Sequence, residues 1–143
     1  MTLPLLDVNV LIALADPDHV HHERAHAWAS HGLANGWASC AITENGFVRI
    51  LSQPAYPGAF TVAAAVGLLR SARAVSGHQF WPSNVSLADP EILDATSLLG
   101  HRLITDAYLL ALAVRHDSAL VTLDTSIPLT AVPGAKGRHL ISI

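Results

Sequence analysis

The stretch Leu3-Pro4-Leu5-Leu6-Asp7-Val8-Asn9-Val10-Leu11-Ile12-Ala13-Leu14-Ala15 decides the architecture. Leu3 to Leu6 is a short apolar strand that ends on an acid, and Val8 to Ala15 then reads as a short helix. A strand handing over directly to a helix opens a parallel α/β unit. The same rhythm runs down the chain. Asp16-Pro17-Asp18 is a turn, and Asp18 is placed to cap a helix from about His19 to His31. Gly36 opens a second strand at Trp37 to Ala41, after which Thr43 can cap a helix carrying Phe47, Val48, Ile50 and Leu51. A Pro-rich loop (Gln53 to Gly58) precedes an Ala/Leu-rich helix to about Arg73. His78 to Trp81 reads as a strand, Glu91 to Leu99 as a helix, and Asp106 to His116 as an apolar helix capped by Thr105. Ala119 to Leu123 is a β-branched strand ending at Asp124, and His139 to Ile143 is a last strand. Alternating strands and helices predict an α/β fold with a mostly parallel sheet of four to five strands and helices on both faces.

At 143 residues the chain fits one domain, 1–143, with room for a sizeable core. Apolar residues make up 51% and charged residues only 13%, which excludes a disordered chain and leaves little polar surface, so a second subunit or partner is expected to cover part of the exterior. The single cysteine, Cys40, cannot form an internal disulfide. It sits in the apolar run Trp37 to Ile42, which reads as a buried thiol in a reducing cytoplasm. No basic leader is visible. Ile50 to Leu69 is uncharged, but Pro54, Pro57 and Gly58 break it as a membrane span. Eleven acids against eight bases give a net charge of −3, the wrong sign for a nucleic-acid enzyme until acids that bind cations are set aside.

Ligands of open α/β sheets gather outside the carboxyl ends of the strands. Asp7 ends the first strand, Glu44 starts the helix after the second, Asp124 ends a later strand, and Asp106 opens a helix whose start faces the same edge. Singly, each has a plain explanation: Glu44 and Asp106 favour a first helical turn, Asp7 caps a helix, and Asp124 forms an Asx turn. Together they are harder to dismiss. Two carboxylates ~5 Å apart repel by about 3 kcal/mol at an effective dielectric near 20, so four persist only if a cation neutralises them or some stay protonated. Oxygen ligands without Cys or His select Mg²⁺ or Mn²⁺, a combination suited to phosphodiester hydrolysis.

Four stretches carry a resemblance: Leu5-Leu6-Asp7-Val8-Asn9-Val10-Leu11, Thr43-Glu44-Asn45-Gly46-Phe47-Val48-Arg49, Thr105-Asp106-Ala107-Tyr108-Leu109-Leu110-Ala111-Leu112-Ala113 and Val121-Thr122-Leu123-Asp124. In order and spacing they resemble the PIN-domain ribonucleases, most closely the VapC-type toxins of toxin–antitoxin modules. The resemblance implies a three-layer α/β/α domain, a homodimer, Mg²⁺- or Mn²⁺-dependent endoribonuclease activity and inhibition by a cognate antitoxin. Asp7, Glu44, Asp106 and Asp124 match the family's four acidic positions, and Asn9 and Thr122 match polar positions that support them. Arg49, past Phe47 on the Glu44 helix, is placed for an RNA phosphate or an antitoxin carboxylate, or as a solvated surface arginine.

Three other readings compete. His22-Glu23-Arg24-Ala25-His26 spells the H-E-x-x-H pattern of zinc metallopeptidases, with His22 and His26 as ligands and Glu23 as base. Arg24, the surrounding histidines His19 and His21, and the lack of a third ligand motif weigh against it. Asp7-Val8-Asn9 is similar to the opening of haloacid-dehalogenase-type phosphatases, but Asn9 stands where their second acid works. The third is a non-catalytic protein-binding module of the same fold.

Overall fold

The computed structural model describes residues 3–75 and 77–143. Five strands, β1 (Leu5–Leu6), β2 (Trp37–Cys40), β3 (His78–Trp81), β4 (Leu120–Thr122) and β5 (Leu140–Ser142), form one sheet in the order β3-β2-β1-β4-β5. Every neighbouring pair is parallel, with Leu5 opposite both Ala38 and Leu120. Parallel neighbours require crossovers. The helices α1 (Val8–Ala15), α2 (His22–Gly32), α3 (Ala41–Leu51), α4 (Val62–Ala74) and α5 (Ile104–Arg115) lie in them.

The layers follow from alternation along the strands. Leu5, Ala38, Cys40 and Leu120 pack with Leu109 and Leu112 of α5 in one core. Leu6, Trp37 and Val121 turn the other way, onto Val10 and Leu11 of α1 and Phe47 and Leu51 of α3. The sheet is thus sandwiched between α5 and the α1/α3 side, the three-layer α/β/α arrangement. α5 is buried along most of its length, from Ala107 to Ala113, which explains a helix apolar all round.

The chain winds from β1 outward to β3, then returns to the other side of β1 for β4 and β5. The winding direction therefore reverses between β1 and β4, where open α/β sheets form a ligand crevice. On the far side, β2 and β3 begin at Gly36 (φ 106°) and Gly77 (φ 91°). A Cβ on Gly36 would fall 2.1 Å from the Gly77 carbonyl oxygen, so both the conformation and the close approach demand glycine there.

Several local expectations are corrected. Residues 91–99 form no α-helix, only a 3₁₀ turn at Ala95–Ser97. Asp89 accepts from the Glu91 amide and Asp94 from the Thr96 amide, so short polar side chains take the donors a helix would need. Asp18 caps nothing: α2 starts at His22 after a turn in which Asp16 accepts from the Asp18 amide. Thr43 lies inside α3, whose N-cap is Cys40, and its hydroxyl accepts from the Cys40 amide. Thr105 likewise lies inside α5, where Leu103 holds the cap position. β4 and β5 are each a residue shorter at both ends than expected, β2 ends one residue early, β1 starts two residues late, and β3 spans the expected residues.

Candidate metal centre

Asp7 leaves β1 and caps α1 in one step. Its Oδ1 accepts from the Val8 amide at 2.7 Å and its Oδ2 from the Thr122 hydroxyl at 2.8 Å, across the β1–β4 crevice. Only 5% of the residue is exposed. Burial pushes its carboxyl above the usual range, against the pull of these two hydrogen bonds.

Thr122, fully buried, is a hub. Its oxygen accepts from the Asp124 amide at 3.0 Å and from Asn9 Nδ2 at 3.3 Å. Asn9 Oδ1 accepts from the Leu123 amide at 3.1 Å. Asn9 and Thr122 therefore fasten the end of β4 to the start of α1, fixing Asp7 relative to Asp124.

Asp124 forms the Asx turn that its sequence allows, accepting from the Ser126 amide at 2.8 Å and hydroxyl at 2.7 Å, which hold its carboxyl below the usual range. Asp106, in the first turn of α5, is pushed up to about 6 by burial and then by the charges of Asp7 and Asp124. Crowding by Asp7 and Asp124 thus favours the protonated form of Asp106 when no cation neutralises the three.

Glu44 is held elsewhere. Its Oε2 accepts from the buried Ser39 hydroxyl at 2.6 Å, and its Oε1 pairs with Arg73 of α4 at 3.3 Å. Ser39 also lies 2.8 Å from His78 Nε2, and burial holds that imidazole below its ordinary value. The structure thus brings Asp7, Asp106 and Asp124 into mutual electrostatic contact, while Glu44 is tied to β2, β3 and α4. Ser39, Arg73 and His78 escaped the sequence reading. The one available signal was a serine inside the otherwise apolar strand Trp37–Cys40.

Among the described residues no three Asp, Glu, His or Cys side chains stand in a metal-holding arrangement. The donor set nevertheless fits Mg²⁺ or Mn²⁺: all oxygen, and mutually repelling in a way that a divalent cation would relieve. Mg²⁺ needs only one or two protein carboxylates, since it keeps several waters.

The His22–His26 pair has a different use. His22 Nδ1 lies 2.7 Å from the Ala13 carbonyl and His26 Nε2 lies 3.1 Å from that of Leu14, with the rings 4.3 Å apart. These are carbonyls at the end of α1 without helical partners, and the two rings donate to them. Glu23 is exposed.

The comparisons with known proteins assign this parallel α/β sheet, with its carboxylates at the switch point, to one family. A family model of the PIN domain matches residues 5–133, and the chain belongs to the PIN-domain family. It is similar to Ribonuclease VapC44 of Mycobacterium tuberculosis, 55% identical over 139 residues that cover 97% of this chain and 98% of the relative. Ribonuclease VapC39 of the same organism is 43% identical over 131 residues, covering 91% and 94%. Ribonuclease VapC38 is 44% identical over 126 residues, covering 87% of each.

Proposed function

We infer that this chain is a VapC-type endoribonuclease that hydrolyses RNA phosphodiester bonds in a Mg²⁺- or Mn²⁺-dependent manner. The observation that carries the reading is the convergence of Asp7, Asp106 and Asp124 at the β1–β4 switch point, where burial and then the charges of Asp7 and Asp124 push the Asp106 carboxyl up to about 6. Asp7, Asp106 and Asp124 are the residues that would hold the cation. Glu44 would join them after leaving Arg73, or act from its present position on the same sheet edge.

When bound, such a cation supplies Lewis acidity toward a phosphodiester and makes an attacking water more acidic. The chain's own contribution is orientation and charge. Thr122 and the Val8 amide fix both oxygens of Asp7, and Ser126 fixes Asp124. These anchored carboxylates need little reorganisation, which is where a preorganised site gains its rate.

The partners follow the same reading: an RNA substrate, a cognate antitoxin, and a second copy of the chain in a homodimer. An apolar groove of about 340 Å³ walled by Leu11, Leu14, Leu33, Phe47 and Leu69 supports a protein partner. Leu99, 99% exposed, adds apolar surface elsewhere. No helix among the described residues is long and apolar enough to cross a membrane. The buried free thiol of Cys40 fits a reducing, cytoplasmic site of action. One sheet with strands from residue 5 to residue 142 supports a single domain over 1–143.

The deciding experiment is cleavage of a mixed RNA pool by partner-free protein with Mg²⁺, with Mn²⁺ and with EDTA. Wild type should cut only with a metal, and Asp7→Asn and Asp106→Asn should be inactive. Equal cleavage by both variants would overturn the assignment.

A further inference from the structure

The exposed edge of α3 turns Ala41, Asn45 and Arg49 outward at intervals of four residues, one above another along one helix face. That face forms a wall of a cleft of about 530 Å³ whose other walls carry Asp7, Asp106 and Thr105. Glu44 is absent from the cleft because its side chain turns toward Arg73. Among the described residues Arg49 is the one Lys, Arg or His lining this cleft, and it has no acidic partner within 4.0 Å. Arg73 and Arg138, by contrast, are paired with Glu44 and Asp117.

Asp7 already accepts from Val8 and Thr122, and the Arg49 guanidinium pairs with neither aspartate of the cleft. Its fork of donors matches the two free oxygens of a phosphodiester, and Asn45 adds an amide donor one turn, about 5.4 Å, closer to the helix start. The same lining includes the aliphatic side chains of Val8, Ile42 and Ile50, a surface suited to a ribose or base face rather than to a second anion. A cleft that combines carboxylates, an aliphatic wall and one guanidinium suits a strand that carries phosphates between its sugars.

We propose that Arg49, assisted by Asn45, grips an RNA phosphate neighbouring the one that is cut, and so positions the strand across the Asp7–Asp106 centre. The proposal rests on the ribonuclease reading above and names how that site holds its substrate. Arg49 is a positioning residue: it acts on binding and register, while the reacting phosphate belongs to the carboxylate end.

The test uses the whole protein and a short fluorescein-labelled single-stranded RNA of mixed sequence. With Mn²⁺, Arg49→Ala should raise KM for cleavage roughly tenfold, the scale of one charge-assisted contact, with a much smaller change in kcat. RNA binding followed by anisotropy at several salt concentrations should lose about 0.7 of its log–log salt slope, the share of one phosphate contact on a single strand. Arg49→Lys should restore the slope but only part of the KM, because ammonium keeps the charge and not the fork. Asn45→Ala should raise KM less than Arg49→Ala. Mn²⁺ affinity by calorimetry should be unchanged in all three. Wild-type KM and salt slope in Arg49→Ala would overturn the proposal, as would a defect confined to self-association or to complexes with protein, which would make Arg49 a protein-interface residue. Asp7→Asn run in parallel separates the two failures: if it cuts as wild type, the ribonuclease reading itself falls, and if it is inactive while Arg49→Ala is normal, only the positioning role does.

Discussion

Arg73 Nη1 lies 3.3 Å from Glu44 Oε1, an ion pair between α4 and α3 that holds Glu44 beside Ser39 instead of among the three aspartates. The arginine is 42% exposed, and such a pair is worth at most about 1 kcal/mol. Arg73→Ala should therefore change unfolding free energy by less than that. If Glu44 is drawn toward a bound cation, releasing it should tighten Mn²⁺ binding by up to about fivefold, the equivalent of the same ~1 kcal/mol. Isothermal titration of Mn²⁺ into the variant reads this directly, and an unchanged affinity would mean that Ser39 alone keeps Glu44 in place.

Asp106 gives a pH dependence whose sign can be worked out. Its folded value, about 6, lies above the 3.8 of the unfolded chain, mainly through burial and then through Asp7 and Asp124. Between those values the folded state holds the extra proton, so this group makes the metal-free protein less stable as pH rises through that window. Asp124, Asp94 and Asp117 are shifted down and act oppositely, which is why a difference measurement is needed. In EDTA, Asp106→Asn should be more stable than wild type at pH 7.5. Urea titrations at falling pH should show that advantage shrinking from about pH 6 and vanishing near pH 4. A constant gap would contradict the crowded-carboxylate account.

His22 and His26 should behave as structural staples. His22→Ala removes the donor to the Ala13 carbonyl and should cost about 1 kcal/mol in a denaturant titration, with His26→Ala costing less because its ring is exposed and its contact longer. RNA cleavage should persist in both. Zinc-dependent hydrolysis of a peptide substrate by wild type, abolished in His22→Ala, would reverse this assignment.

Gly46 is where α3 meets α1. A Cβ there would fall 2.8 Å from Val8 Cγ2, and Val8 adjoins Asp7. Alanine gains roughly 1 kcal/mol in helix propensity but forces Val8 to move. Gly46→Ala should therefore depress RNA cleavage out of proportion to its change in stability. Adding Val8→Ala should recover cleavage, with a coupling of at least about 0.5 kcal/mol in the double-mutant cycle of stability.

Much of the fold was legible because it rests on local chemistry. The apolar runs at residues 3–6 and 119–123 alternate between the sheet's two faces, so they read as buried strands, and the strand–acid–helix joint at Asp7 needs only neighbours in sequence. The 91–99 segment failed for the same reason in reverse. Its spacing suited a helix, but Asp89 and Asp94 took the backbone amides first, and the Asp94 amide was drawn to the Ala131 carbonyl 37 positions on, a contact no local pattern records. Likewise the histidine motif fitted a zinc site by spacing alone, and only the position of α1 beneath it gave those rings carbonyls to bind.

The sequence by itself determined that acids would end strands and open helices, because residue type and periodicity fix local structure and because strand ends in an α/β fold share one edge. Only the tertiary structure decided which acids meet. Asp7, Asp106 and Asp124 converge because the winding reverses between β1 and β4 and Thr122 bridges the two strands, whereas Glu44, on the same edge by chain order, is turned aside by Ser39 and Arg73. Electrostatic coupling falls with distance and is set by burial, and both quantities exist only once the chain has folded.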